Sequence, residues 1–164
     1  MYEEIEAELG IEIPCALKYK DPLGIHAALL ICDKTSEVLA YGVNKHICPK
    51  TMPHGQSRYT IHAEQELLNN FARRRHQIKA KGKMRGAMTL LSVRFSRTGV
   101  CGNSMVCKAC AQIVSKKFGN LIRKVKYMDG TTKTWCEASV EQVCDIAVTS
   151  SGDKRTVHPT RLIE

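Results

Sequence analysis

The apolar residues of the chain fall into short runs separated by turn-forming residues, a pattern typical of α/β proteins. Residues 25–32 form a nearly continuous apolar run, residues 33–37 are mostly polar, and residues 38–43 are again mostly apolar. This pattern predicts a β-hairpin whose two strands are largely buried. Further strands are predicted at 87–95, 122–128 and 132–137, where apolar and β-branched residues concentrate or alternate with polar ones.

Helical spacing of apolar residues is clearest after Thr60, which is a reasonable N-cap and would put His62 in the first turn. We expect this helix to fade within the basic run before Gly82. Residues 45–58 contain two prolines and a glycine, which predict an irregular loop. Other helices are predicted at 1–10, at 107–118 and from Ser139 onward.

The order of these elements is hairpin, helix, strand, helix, strand, which predicts a three-layer αβα domain with a mixed central sheet of about five strands. The 164 residues are enough for one domain with a substantial core. We therefore expect a single domain over 1–164, with its core at about 23–143. The helix at 1–10 is expected to be peripheral, and the tail from about residue 150 to be loosely ordered.

The N-terminus is acidic and lacks an apolar signal-peptide segment, and no apolar run reaches membrane-spanning length. These features predict a soluble, cytoplasmic protein without a membrane partner. The chain has eight cysteines, and in a reducing compartment they are expected to remain thiols. A Cys-x-x-Cys pair in that setting is more typical of metal binding or redox chemistry than of a structural disulfide.

The net charge of +9 is unevenly distributed along the chain. Between Leu67 and Met128 there is no Asp or Glu, and this window holds 15 of the 25 Lys and Arg residues. Such a cluster attracts phosphorylated ligands or nucleic acid, although it is equally typical of a solvated surface. The candidate contacts to phosphate or nucleic acid are Arg73, Arg74, Arg75 and Lys108.

The residues with clear chemical potential are His62 and Glu64, followed 45 residues later by Cys107 and Cys110. One histidine and two cysteines are an established three-ligand set for catalytic zinc, which keeps a fourth position for water. Both pairs fall at predicted helix starts, where the helix dipole favours anionic ligands and thiolates. Residues two apart point about 200° away from each other on a helix, so the metal would have to lie beyond the helix end.

An H-x-E motif followed by C-x-x-C resembles the signature of zinc-dependent nucleobase deaminases. The chain is accordingly identified as a member of the cytidine deaminase superfamily, with similarity over roughly residues 23–143. The resemblance involves the hairpin 27–44, the segment 60–64 and the segment 103–110. It differs from the usual pattern in having Val106 where the family has proline, and in the length of the gap between His62 and Cys107.

The resemblance implies a cytidine deaminase-like fold that binds one Zn²⁺ per chain through His62, Cys107 and Cys110. It implies that Glu64 transfers protons, that the Asn44 amide binds the sugar and that the Ala63 backbone contacts the base. The expected reaction is hydrolytic deamination of a cytosine-type base in a free nucleoside or nucleotide, with release of ammonia. A homo-oligomer is also implied.

Three alternatives remain open from the sequence. Cys101 could be a fourth ligand, which would make a closed structural zinc site. The basic window could instead indicate deamination of a base in RNA or single-stranded DNA, including adenosine in tRNA. The chain could also be a catalytically silent zinc fold that binds nucleic acid or a protein.

Overall fold

The structure of the protein, a computed structural model, describes residues 2–18, 25–47, 59–96, 98 and 100–149. The predictions for the tail from residue 150 and for most of the loop at 45–58 lie outside these residues. The helices are α1 (Tyr2–Leu9), α2 (Cys15–Lys18), α3 (Ala63–Ala80), α4 (Lys108–Ile113) and α5 (Val140–Ile146). The strands are β1 (His26–Cys32), β2 (Val38–Val43), β3 (Lys45–Ile47), β4 (Tyr59–Ile61), β5 (Met88–Arg94), β6 (Ile122–Met128) and β7 (Trp135–Ser139).

Five strands form one mixed sheet in the order β2-β1-β5-β6-β7. Strands β5 and β6 are parallel, and the other neighbouring pairs are antiparallel. The parallel pair is connected through α4, which is the crossover that parallel strands require. The predicted mixed sheet of about five strands is confirmed.

Alternating residues of β1 divide the core into two layers, one on each face of the sheet. Ala28 and Leu30 pack with α3, α4 and α5, whereas Ala27 and Leu29 pack with α1 and α2. Both faces of this central strand are therefore covered by helices. The arrangement agrees with the predicted three-layer αβα architecture.

The N-terminal helix is part of the core, which corrects the expectation that the core begins near residue 23. Tyr2 and Ile5 are buried, and the Tyr2 ring meets the Phe95 ring edge-on at a centroid distance of 5.0 Å. At the edge strand β7, the Trp135 indole N–H donates to the Glu8 carboxylate at 2.9 Å. The short apolar segment could not be recognised as a layer from the sequence because its partners lie far along the chain.

The stretch expected to be an irregular loop, 45–58, begins with strand β3, and strand β4 follows directly after it. β3 and β4 pair antiparallel and form a two-stranded ribbon, with Lys45 opposite Ile61. Thr60 therefore lies in β4 and is not the N-cap of α3, and that position belongs to His62. The ribbon aligns the chain so that the helix begins immediately after its last strand.

Helix α3 continues to Ala80 and ends within the basic run, two residues before Gly82, as expected. Arginine and lysine have high helix propensity, and Ile78 anchors the end of the helix in the core. Helix α4 is followed without interruption by a π-helical turn at Val114–Phe118. The Phe118 ring contacts Phe71 of α3 at a centroid distance of 6.2 Å, so the two helical segments pack together.

Gly42 of β2 allows α3 to lie directly on the sheet. A Cβ atom at this position would be only 2.3 Å from both the Ala63 carbonyl oxygen and the Leu67 amide nitrogen. These are backbone atoms of the first turns of α3, so no side-chain adjustment could relieve the overlap. The position of the helix start therefore depends on the absence of a side chain at residue 42.

We expect Gly42→Ala to destabilise the protein by about 1–3 kcal/mol or more, because the methyl group would push α3 away from the sheet. Urea denaturation followed by circular dichroism measures the change. Gly102→Ala is the matched control, because among the described residues the nearest atom to its Cβ would be the Arg94 carbonyl oxygen, at 4.0 Å. An equal effect of the two substitutions would contradict the role assigned to Gly42.

Candidate metal centre

His62 and Cys107 occupy the same structural position at the starts of two different helices. His62 is the N-cap of α3 with φ −68° and ψ 150°, and Cys107 is the N-cap of α4 with φ −70° and ψ 159°. Neither side chain caps its own helix by a hydrogen bond. In contrast, Ser139 at the start of α5 forms a capping box with Gln142. The first two N-cap side chains are therefore available to meet each other.

The N-cap geometry removes the obstacle that His62 and Glu64 point about 200° apart on an ideal helix. An N-cap residue has extended backbone angles, so the ideal helical rotation does not apply to it. His62 can then face the space beyond the helix end while Glu64 lies within the first turn.

His62, Cys107 and Cys110 form one compact group whose ligand atoms all lie within 4.8 Å of one another. The His62 Nδ1 atom is 3.3 Å from the Cys107 sulfur and 3.4 Å from the Cys110 sulfur. One imidazole nitrogen and two sulfurs are ligands that zinc and related transition metals prefer. These residues could hold a metal ion.

Cys101 does not belong to this group. Its side chain packs against the core cluster formed by α1, α2 and the opposite face of the sheet, and burial raises the pKa of its thiol. Cys110, in contrast, belongs to the core cluster beneath α3 and α4. The alternative of a closed site with Cys101 as the fourth ligand finds no support in this placement.

The pKa of the Cys107 thiol is lowered from 9.0 to about 5, chiefly by a hydrogen bond from Cys110. Burial opposes this shift by disfavouring the charged form, and the interaction with His62 adds to the lowering. These interactions favour the thiolate form of Cys107 before any metal binds. A preformed thiolate is the form of cysteine that coordinates metals.

Glu64 lies two residues after His62 and is buried, with only 1% of its side chain exposed. Its Oε1 atom accepts a hydrogen bond from the Ser92 hydroxyl at 3.4 Å and lies 3.4 Å from His26 Nε2. Among the residues that the structure describes, Oε2 has no hydrogen-bond partner. Leaving a buried polar atom unpaired costs about 1–3 kcal/mol, and more for a charged group. A carboxylate kept in this state is typical of a functional site.

Ser104 and Val106 fix the loop that leads into Cys107. The Ser104 hydroxyl donates to the Ser92 carbonyl at 2.7 Å and accepts from the Met128 amide at 2.8 Å, so it joins the ends of β5 and β6. Val106 is completely buried in the core. Packing and hydrogen bonding thus hold this loop without a proline before Cys107.

Asn44 and Ala63, the two residues predicted to contact the substrate, both contact other residues of the protein. The Asn44 side-chain oxygen accepts from the His26 amide at 2.9 Å, and the Asn44 amide donates to the His26 carbonyl at 2.9 Å. These two hydrogen bonds close the hairpin. They explain an asparagine at position 44 without requiring that it binds a sugar. Ala63 is fully buried against Gly42. Their contacts to a sugar and a base stay predictions.

The predicted phosphate contacts are placed in two separate regions. Lys108 is exposed at the first position of α4, next to Cys107, and its amide donates to the Val148 carbonyl at 3.1 Å. Arg73, Arg74 and Arg75 are exposed on α3. Arg74 lies twelve residues after His62, which corresponds to about 18 Å along the helix axis. The structure therefore brings Lys108 to the metal centre but not the arginines.

Sequence reasoning missed three residues at this site, namely His26, Ser92 and Ser104. The sequence assigns no role to His26 or Ser92, and Ser104 lies in the segment 103–110 without a role of its own. Their role depends on pairing between distant strands, in which Ala28 lies opposite Ser92. A buried serine in an otherwise apolar strand was the only signal available for Ser92.

Neither a scan against protein-family models nor a search of curated proteins finds a match to this chain. In the part of the chain that the structure describes, no helix combines the length and apolar character needed to cross a bilayer. Interpretation of the site therefore depends on its own geometry.

We expect Cys110→Ser to lower the bound metal from about one ion per chain to a small fraction, because it removes one of three ligands. The measurement is metal content by mass spectrometry after incubation with Zn²⁺ or Co²⁺ and gel filtration. Cys101→Ser is the matched control and should retain the metal. Loss of metal in both variants would reinstate Cys101 as a ligand.

Proposed function

We propose that the protein is a zinc-dependent hydrolytic deaminase of the cytidine deaminase superfamily. Its proposed substrate is a cytosine-type base in a free nucleoside or nucleotide, which it would convert to the uracil form with release of ammonia. The proposal is supported by the combination of a three-ligand group with a carboxylate that is no part of that group.

The observation that carries the proposal is the buried Glu64 oxygen without a hydrogen-bond partner among the described residues. A purely structural metal site needs ligands and hydrophobic support, but it has no use for an extra buried carboxylate. Such a group costs stability unless a ligand supplies the missing hydrogen bond. A water molecule or the ring nitrogen of a bound base would supply that bond at Oε2.

Zinc at His62, Cys107 and Cys110 would lower the pKa of a water molecule from 15.7 towards about 7. Glu64 Oε2 would accept a proton from the attacking water and return it to the ring nitrogen. The water oxygen forms the new bond to the base carbon, and the carbon–nitrogen bond to the amine breaks. A second proton passed through Glu64 leaves with the amine as ammonia, so the carboxylate is restored at the end of the cycle.

The location of the site in the fold supports the same proposal. The site lies where β5 and β6 end and where α3 and α4 begin, at the carboxyl edge of the parallel pair. Small-molecule sites in α/β proteins commonly lie at this edge. The helix starts also favour the negative charge carried by Cys107 and by Glu64.

We expect Glu64→Gln to lower kcat for the deamination of cytidine or its monophosphates by at least about 10²–10⁴-fold, because the amide cannot accept the proton. Ammonia release and the change in ultraviolet absorbance measure the reaction. The matched control is Glu66→Gln on the same helix, whose carboxylate is paired with Lys45 at 2.5 Å. Zinc content should stay near one ion per chain in both variants, and an active Glu64→Gln enzyme would refute the proposal.

A second candidate function, deamination within RNA or single-stranded DNA, is favoured by one specific observation. Arg73, Arg74 and Arg75 are exposed on α3, and no carboxylate of a described residue forms an ion pair with them. At 3.4 Å per stacked nucleotide of a strand, the separation of about 18 Å from the helix start corresponds to about five nucleotides. A mononucleotide at the metal centre could not reach them, whereas a polymer could.

A triple variant in which Arg73, Arg74 and Arg75 are each replaced by Glu distinguishes the two candidate functions. If the substrate is a polymer, the triple variant should bind single-stranded RNA or DNA at least 10-fold more weakly and with a smaller salt dependence. Deamination of cytidine monophosphate should be unchanged, which controls for the integrity of the active site. Fluorescence anisotropy at several salt concentrations measures binding, and equal polymer binding by both proteins would exclude this surface.

A further inference from the structure

The residues that contact Glu64 come from two neighbouring strands of the sheet. His26 begins β1, and Ser92 lies near the end of β5. Because Ala28 pairs with Ser92, the side chains of His26 and Ser92 are neighbours on the same face of the sheet. Leu30 and Leu90 on this face pack against α3. Both polar side chains are thus directed towards the helix that carries Glu64.

The three side chains form a closed set of short contacts. His26 Nε2 lies 2.9 Å from the Ser92 hydroxyl, that hydroxyl lies 3.4 Å from Glu64 Oε1, and His26 Nε2 lies 3.4 Å from the same Oε1. Ser92 is completely buried, whereas a quarter of the His26 side chain is exposed. Both contacts to Glu64 are made to the same carboxylate oxygen, Oε1.

We propose that His26 and Ser92 are positioning residues that hold Glu64 Oε1 and thereby present Oε2 to the reacting groups. This inference rests on the proposed deaminase function, which it extends by two residues. A carboxylate has two equivalent oxygens and turns freely about its last bond unless one oxygen is held. Holding Oε1 leaves a single oxygen for proton transfer and removes the need to order it during the reaction.

The chemistry of the donors determines the order of the hydrogen bonds. A serine hydroxyl donates only one proton, and a carboxylate oxygen only accepts. If Ser92 donates to Glu64, its oxygen must accept from His26, so the Nε2 atom of His26 carries the hydrogen. Nε2 also lies 3.4 Å from Oε1. The arrangement therefore requires a hydrogen on the Nε2 atom of His26.

Hydrogen bonds from other residues anchor the backbone of both His26 and Ser92. Asn44 binds both the amide and the carbonyl of His26, each at 2.9 Å. The Ser104 hydroxyl binds the Ser92 carbonyl at 2.7 Å. Ser104 also belongs to the loop that leads into Cys107, so the same contacts set Glu64 against the metal ligands. Asn44 thus acts on the site through His26.

The inference is tested with Ser92→Ala, which removes the hydroxyl, and with His26→Leu, which removes the ring donor. His26→Gln retains an N–H donor and is the conservative variant. Thr89→Val is the matched control, because Thr89 is a buried hydroxyl of the same strand that donates to Asp33 at 2.7 Å. For each zinc-loaded protein we would measure zinc content, melting temperature, kcat and KM with cytidine and its monophosphates.

We expect Ser92→Ala and His26→Leu to lower kcat by about 10–100-fold, with KM changed less than about 3-fold and zinc content unchanged. His26→Gln should recover much of the loss, and Thr89→Val should retain the kcat of the parent protein. A folded, zinc-loaded Ser92→Ala protein with normal kcat would overturn the inference. If Ser92→Ala does not fold, the contrast between His26→Leu and His26→Gln at the partly exposed position decides it.

A second readout does not depend on turnover. Nitrogen-detected magnetic resonance of the zinc-loaded protein at pH 8 reports the tautomer of each histidine ring, and comparison with His26→Gln assigns the His26 signals. A hydrogen on Nε2 supports the positioning pair, and a hydrogen on Nδ1 overturns it. If the parent protein deaminates none of the bases, the proposed function fails on its own, and the tautomer still decides how Glu64 is held.

Discussion

The contact between the His62 ring and the two thiols depends on two helices that begin at the same place. An N-cap residue has an extended backbone, so its side chain points past the helix end and not along the helix. His62 and Cys107 both occupy this position, with nearly equal backbone angles. Gly42 holds one helix start against the sheet, and the buried Val106 holds the other. A shift of either helix would separate the ligand atoms.

Negative charge at this site is stabilised by the surrounding architecture. The pKa of the Cys107 thiol is lowered, and Glu64 is almost completely buried. Burial alone would raise the pKa of the Cys107 thiol. The hydrogen bond from Cys110 opposes this effect, and the positive dipole ends of α3 and α4 favour negative charge at both helix starts. A site that collects anionic side chains at two helix ends is suited to a cation.

The elements and ligands could be predicted from the sequence because they depend on local patterns. Apolar runs identified the five strands of the main sheet, and the H-x-E and C-x-x-C motifs identified His62, Glu64 and the two cysteines. Three features could not be predicted, since they depend on contacts between distant segments. The layer formed by α1 depends on packing partners such as Phe95, which is far away in the sequence. Ser92 is brought next to His26 only by the pairing of β1 with β5. The exact length of α3 within the basic run depends on Ile78, which is buried in the core.

The continuity of α3 bears directly on the choice of substrate. Had the basic run been a loop, its arginines could fold back towards the metal centre and bind the phosphate of a mononucleotide. A single helix from Ala63 to Ala80 instead keeps Arg74 about 18 Å from the helix start. Under the proposed chemistry, the described residue Lys108 is a cation close enough to serve a small substrate, and the arginines serve a ligand that extends about 18 Å along the helix. Because the helix is continuous, the length of the substrate is the property that distinguishes the two candidate substrate classes.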